Sequence, residues 1–142
     1  MSVHFVTGGA FHGKHQWVRE HYKLQRRSDY VVHNGFAGAK VLPSSIEEGE
    51  LVIVTGLHLY IRMLQGHEEP RTVFKHWLQD AISWEKGGKT VVLIGNEIGK
   101  GIVPVKREDR EWRDLVGLCY QDIVRLAERV DLIWYGLNQQ IK

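Results

Sequence analysis

The stretch Val3-His4-Phe5-Val6-Thr7-Gly8-Gly9-Ala10-Phe11-His12-Gly13-Lys14-His15 decides the fold. Val3 to Thr7 is a short β-type run, rich in branched and aromatic residues. A glycine turn follows, then a polar, helix-like stretch from about Gly13 to Gln25. Gly8 to Lys14 therefore reads G-x-x-x-x-G-K, with a strand before it and a helix after it. Glycines there let the backbone wrap until successive N–H groups point inward. Those donors and the helix N-terminus cradle an anion. Lys14 would reach the β- and γ-phosphates of a nucleotide as a point charge. Gly8, Gly9, Ala10, Phe11, His12, Gly13, Lys14 and His15 are thus candidate nucleotide-binding residues, with Lys14 also catalytic. The competing reading is a glycine-rich turn that binds nothing. His12 could donate to a phosphate oxygen or simply sit exposed in the loop.

One position breaks the pattern. Ser or Thr normally follows the lysine, because its hydroxyl is a compact, hard ligand for Mg²⁺. Here the residue is His15, whose imidazole is bulkier and softer.

Working outward, Asp29 to His33 is a second strand, ended by Asn34-Gly35. Phe36 to Gly49 reads mostly as loop, with one helical turn near Ser45 to Glu48. Glu50 to Thr55 is a third strand and Leu57 to Gln65 a short helix. Pro70 to Lys86 is a longer helix: Pro70 suits its first turn and Gly87-Gly88 ends it. Lys89 to Gly95 is a fourth strand around the buried-type run Val91-Val92-Leu93-Ile94. Glu108 to Arg129 is the longest helix, with Trp112, Leu115, Val116, Cys119 and Ile123 on one stripe. Asp131 to Tyr135 is the last strand. Short apolar strands alternating with helices indicate an α/β, P-loop-type three-layer fold. Its mainly parallel sheet has about five or more strands, the first one central, and helices cover both faces. The 142 residues suit one nucleotide-binding domain over 1–142.

Composition narrows the function. The net charge is +2, from 19 basic and 17 acidic residues, too balanced to argue for nucleic acid or an anionic membrane. No apolar run is long enough to span a bilayer, and MSVHFVTGGA lacks the features of a signal peptide. The single cysteine, Cys119, excludes an internal disulfide and a multi-cysteine zinc site. None of the eight histidines has metal-ligand spacing, so no histidine metal site is expected, while Mg²⁺ with a nucleotide stays possible although its usual ligands are missing. A cytoplasmic location fits.

Parallel sheets bind ligands beyond the carboxyl ends of their strands. His33-Asn34 and Asn96-Glu97, at the ends of the second and fourth strands, are the further candidates. His33, Asn34 and Asn96 would contact the nucleotide, and Glu97 and His33 are candidate catalytic residues. A carboxylate at the end of the third strand would help hold Mg²⁺, but Thr55 and Gly56 stand there.

The string Val91-Val92-Leu93-Ile94-Gly95-Asn96-Glu97-Ile98-Gly99-Lys100-Gly101-Ile102-Val103-Pro104, taken with GGAFHGK, closely resembles the adenosylcobinamide kinase / adenosylcobinamide-phosphate guanylyltransferase family. That family opens on GGARSGKS and carries T-N-E-V-G-x-G-I-V-P. A helix with F-R-D-x-x-G and a final strand follow. Trp112-Arg113-Asp114-Leu115-Val116-Gly117 and Asp131-Leu132-Ile133-Trp134 fill those places in order. The resemblance is good over 3–15 and 89–142 and weak over 50–65. It implies ATP or GTP as nucleotide and adenosylcobinamide as acceptor. The implied reaction is phosphorylation, then GMP transfer through a guanylylated histidine. It also implies a homo-oligomer, trimeric in the family. Three features depart: His15 replaces the Walker hydroxyl, Thr55 replaces the acid, and the histidine-bearing helix has no counterpart between Asn34 and Glu50. His33 and His58 are the leftover candidate nucleophiles. Two functions follow: an enzyme of cobalamin assembly or salvage with weakened catalysis, or a non-catalytic nucleotide- or corrinoid-binding module on the same fold.

Overall fold

The computed structural model describes residues 3–38, 41–43, 50–86, 88–99 and 103–142, with residues 85 and 86 as backbone only. The expected helical turn at Ser45 to Glu48 lies outside them. Strand β1 (Val3–Gly8) lies between β4 (Thr90–Asn96) and β5 (Arg129–Trp134), parallel to both. Beyond β4 come β3 (Leu51–Thr55) and β2 (Tyr30–Asn34), again parallel. The sheet order is β2-β3-β4-β1-β5-β6, with the first strand central as expected. The sixth strand, β6 (Leu137–Gln140), was not foreseen and runs antiparallel to β5.

Side chains alternate across each strand, so every strand feeds two cores. Val3, Phe5, Val52, Val54, Val91, Leu93 and Val130 face one side. Helices α2 (Leu57–Met63), α3 (Pro70–Lys86) and α4 (Arg107–Leu126) cover it with Ile61, Phe74, Leu78, Val116 and Ile123. Cys119 is buried in this core, and burial pushes its thiol up to about 12. It is a packing residue. On the other side Val6, Ile53, Val92, Ile94 and Ile133 pack against Val18 of α1 (Lys14–His21) and Leu24. Helix α1 is shorter than the sequence predicts. It ends at His21 with Tyr22 as its cap, and Lys23 takes a left-handed conformation (φ 53°) before a 3₁₀ turn at Leu24–Arg26.

This second core also holds a buried polar chain. Asp131 accepts from His4 Nε2 (2.6 Å), Arg129 Nε (2.7 Å) and Asn138 Nδ2 (3.0 Å). His4 Nδ1 in turn accepts from the Tyr22 hydroxyl. Burial alone would raise the Asp131 carboxyl, but its three donors outweigh that and hold it below the usual range. Burial moves His4 the other way, below 6.5, although Asp131 pulls it up. His15, His21, His33 and His58 are shifted in the same direction as His4, chiefly by burial. Below pH 6.5 the unfolded chain therefore binds more protons than the folded one. Stability is present above that pH and is lost as pH falls. Thermal midpoints should drop between pH 7.5 and pH 5, within about 1.5 units on either side of that histidine value. A midpoint unchanged over that interval would contradict these burial assignments.

Candidate functional site at the carboxyl edge of the sheet

Five parallel strands put their ends on one edge, and the loop candidates and Asn96 meet there. Gly8 ends β1 against β5: a Cβ on it would sit 2.5 Å from the Ile133 carbonyl oxygen. Backbone occupies that space, so alanine at Gly8 forces β1 and β5 apart. Gly8→Ala should cost about 1–3 kcal/mol in chemical denaturation. A neutral result would contradict the close approach. Gly13, with φ 90°, turns the loop into α1, which starts at Lys14. The first turn of any α-helix leaves amides without intrahelical acceptors, and here those amides border the loop.

The loop is braced from the side. Its His12 carbonyl accepts from the Gly136 amide at 2.7 Å, and the His12 ring stacks on Tyr135 with centroids 4.8 Å apart. Tyr135 and Gly136 form the turn of the β5–β6 hairpin, both at positive φ. His12 Nδ1 is buried without a hydrogen-bond partner. Phe11, also at positive φ, is fully exposed.

Lys14 is the central residue. It is only 4% exposed, yet its ammonium donates to the Gly9 carbonyl oxygen at 2.7 Å. Among the described residues no carboxylate pairs with it. Burial lowers its pKa from the ordinary lysine value. A buried cation resting on a neutral carbonyl is an incomplete arrangement, because such charges are normally paired.

Next to it, His15 Nε2 and the buried Thr55 Oγ1 are hydrogen-bonded at 2.9 Å. Thus the two positions where the sequence departs from a magnesium-binding loop touch each other. His58, 4% exposed on α2, accepts from the Asn96 amide at its Nδ1 (3.1 Å). Burial, and then the Lys14 charge, push His58 down to about 4. It is therefore neutral near pH 7, and its unprotonated nitrogen is engaged by Asn96. The Asn96 carbonyl accepts from the Tyr120 hydroxyl (2.7 Å), and Thr7 Oγ1 donates to the Gly95 carbonyl (2.9 Å). Together these bonds fix the end of β4.

A cavity of about 500 Å³ opens beside the loop, lined in part by Phe11, Lys14, His15, Arg19, Phe36 and Asn96. Its lining includes cations, amides and two exposed aromatic rings, and no carboxylate among the described residues. Phe36 is placed by the Asn34 side chain, which accepts from the Phe36 amide at 2.9 Å.

The other candidates fall elsewhere. Asn34 borders the site through Phe36 and makes no lining contact with this cavity. The Glu97 amide donates to the Gly8 carbonyl oxygen (2.8 Å), while Glu97 lines a second cavity of about 490 Å³ with Thr7, Tyr120 and Gln121. His33 is half-buried on β2, paired in register with Val54, and lines neither cavity. After it, Gly35–Ala37 form a 3₁₀ turn, and much of the segment to Glu50 lies outside the described residues. Arg19, Phe36 and the His15–Thr55 contact were missed from sequence. The only available signal was the pairing of two broken motif positions.

Octahedral Mg²⁺ prefers hard oxygen ligands, carboxylates above all. The donors at its expected place are an imidazole and a hydroxyl already bonded to each other. Among the described residues no group of three or more His, Cys, Asp or Glu could hold a metal ion. The residues present do not fit Mg²⁺.

Comparison with known proteins agrees with the resemblance. A family model described as cobinamide kinase / cobinamide phosphate guanyltransferase matches residues 14–141. The bifunctional adenosylcobalamin biosynthesis protein CobU of Escherichia coli K12 is 42% identical over 52 residues, which is 37% of this chain and 29% of that protein. The CobU protein of Salmonella typhimurium LT2 gives the same figures. The bifunctional adenosylcobalamin biosynthesis protein CobP of Pseudomonas aeruginosa PAO1 is 27% identical over 127 residues, 88% of this chain and 72% of that protein. The matched stretch thus spans 29% of the length of each CobU relative. From Lys14 to Ile141 the model runs through α1, the strand ends and the hairpin that braces the loop, and on that match the chain belongs to the cobinamide kinase / cobinamide phosphate guanyltransferase family.

Proposed function

We propose that this chain binds the phosphates of ATP or GTP on the loop Gly8–His15 and serves cobalamin assembly or salvage. Its acceptor is adenosylcobinamide, and its kinase chemistry is weaker than a complete site would give. The observation that carries this reading is Lys14, a buried ammonium in the loop with a carbonyl for its partner. A phosphate group supplies the missing anion. The loop amides and the first turn of α1 donate to its oxygens, and Arg19 adds charge from the cavity wall. Asn96 lines the cavity from the end of β4, its backbone amide and carbonyl held by His58 and Tyr120.

Removing one electrostatic contact to the transferred group commonly costs about 10²–10³ in rate. Slow turnover follows from His15 and Thr55. The leftover histidines do not rescue the guanylyl step. His58 Nδ1 already accepts from Asn96, and His33 lies away from the cavity. The non-catalytic binding module remains the second reading, favoured by the His15–Thr55 bond. By the family resemblance the assembly is a homo-oligomer, a trimer, and the single cysteine fits a cytoplasmic location. Among the described residues no helix is long and apolar enough to cross a membrane.

The test is incubation with adenosylcobinamide and terminally labelled ATP or GTP, beside GTP labelled in the α-phosphate. Slow label transfer to the corrinoid, lost in Lys14→Met, is expected for the enzyme. No transfer with intact nucleotide binding selects the module. Stoichiometric acid-labile label on the protein would contradict the assignment and point to His33 or His58.

A further inference from the structure

We infer that the loop binds its nucleotide free of divalent cation, the His15–Thr55 hydrogen bond having closed the place a cation would take. The inference rests on the nucleotide-binding reading and adds to it. Three observations carry it. The first is the bond itself, 2.9 Å between His15 Nε2 and Thr55 Oγ1, with Thr55 buried beneath it. Each group is a polar partner of the other, and neither is the carboxylate that a hard divalent cation prefers. The second is charge. The cavity presents the cations Lys14 and Arg19, and no carboxylate among the described residues. A divalent cation would enter a cationic wall with no protein anion to offset it, whereas a bare polyphosphate meets complementary charge. The third is the placement of Glu97. Glu97, which directly follows β4, lines the other cavity, under α4, with Thr7 and Tyr120. It is not among the residues that line the cavity at the loop.

A divalent cation binds the polyphosphate itself and cancels part of its charge, so a cationic loop without a cation ligand holds the metal-bound nucleotide no more tightly than the bare one. Ordinary coupling between two ligands changes affinity by about 5- to 150-fold. Here the coupling should fall below that range, and its sign should favour the metal-free nucleotide.

The experiment is calorimetric titration of the full chain with GTP, ATP and inorganic pyrophosphate, each in excess magnesium chloride and in EDTA. Affinities within about threefold of each other, or tighter in EDTA, are expected, since that lies under the usual coupling range. His15→Ser combined with Thr55→Asp restores a hydroxyl and a carboxylate. This double variant should bind at least about fivefold tighter with magnesium than without, the lower edge of that range. Circular dichroism and thermal melting establish that it is folded. If the parent needs magnesium for binding, this inference falls and the nucleotide reading stands. If no nucleotide binds in either condition, both fall. A folded double variant as indifferent as the parent would overturn the role given to His15 and Thr55.

Discussion

Asp131→Ala should cost about 3–5 kcal/mol of stability, the loss expected when one member of a buried ionic cluster is removed. Asp131 is fully buried and accepts from His4, Arg129 and Asn138. Without it, the Arg129 guanidinium loses its partner at the sheet, and His4 Nε2 is left buried and unsatisfied. The network also ties three strands together, since His4 is on β1, Arg129 and Asp131 on β5 and Asn138 on β6. For a chain of this size the midpoint of thermal unfolding should fall by on the order of 10 °C. Asp131→Asn keeps an acceptor and should cost less. The contrast is Arg107→Ala, which breaks the exposed Arg107–Glu111 pair at the start of α4. Such pairs contribute about 0.3–0.5 kcal/mol. Urea denaturation of the three variants measures the ordering. A loss below about 1 kcal/mol for Asp131→Ala would contradict the network's role, that being the scale of one ordinary neutral hydrogen bond.

Lys14→Met should move binding and stability in opposite directions. The ammonium contributes a charge-assisted bond to phosphate of about 1.5–3 kcal/mol. Its loss therefore weakens nucleotide binding by about 10- to 150-fold. In the unliganded protein the same ammonium is a buried charge with no carboxylate partner, and methionine is a flexible apolar side chain of similar length. The unliganded variant should be as stable as the parent or more so, a trade common at functional positions. Calorimetry with GTP and thermal melting without it test the two halves separately. Weakened binding with a lowered midpoint would mean that Lys14 holds the loop together rather than awaiting an anion.

Strongly periodic or continuously apolar segments were legible in the sequence. The run Val91 to Ile94 is the centre of β4, and the stripe Leu115, Val116, Cys119, Ile123 packs α4 onto the sheet. The end of α1 was not legible. Lys23 turns left-handed with neither glycine nor proline to announce it. The β5–β6 hairpin was missed for a related reason. A two-residue turn with both residues at positive φ is ordinarily marked by Asn-Gly, and here it is Tyr135-Gly136. That turn matters to the site, because Gly136 and Tyr135 brace His12. The loop itself was legible from its glycines and Lys14. What it contacts was not, since His15 meets Thr55 across 40 residues of chain and His58 meets Asn96 across 38. Contacts at that separation depend on strand order, which no local pattern encodes.

The most direct measurement is amide NMR of the labelled protein during titration with GTP. Phosphate held by the loop should produce its largest shifts at the amides of Gly9 to His15, with smaller ones at Phe36 and Asn96. Largest shifts along Gln121 and Val124, on the cavity under α4, with the loop amides unmoved, would contradict the account.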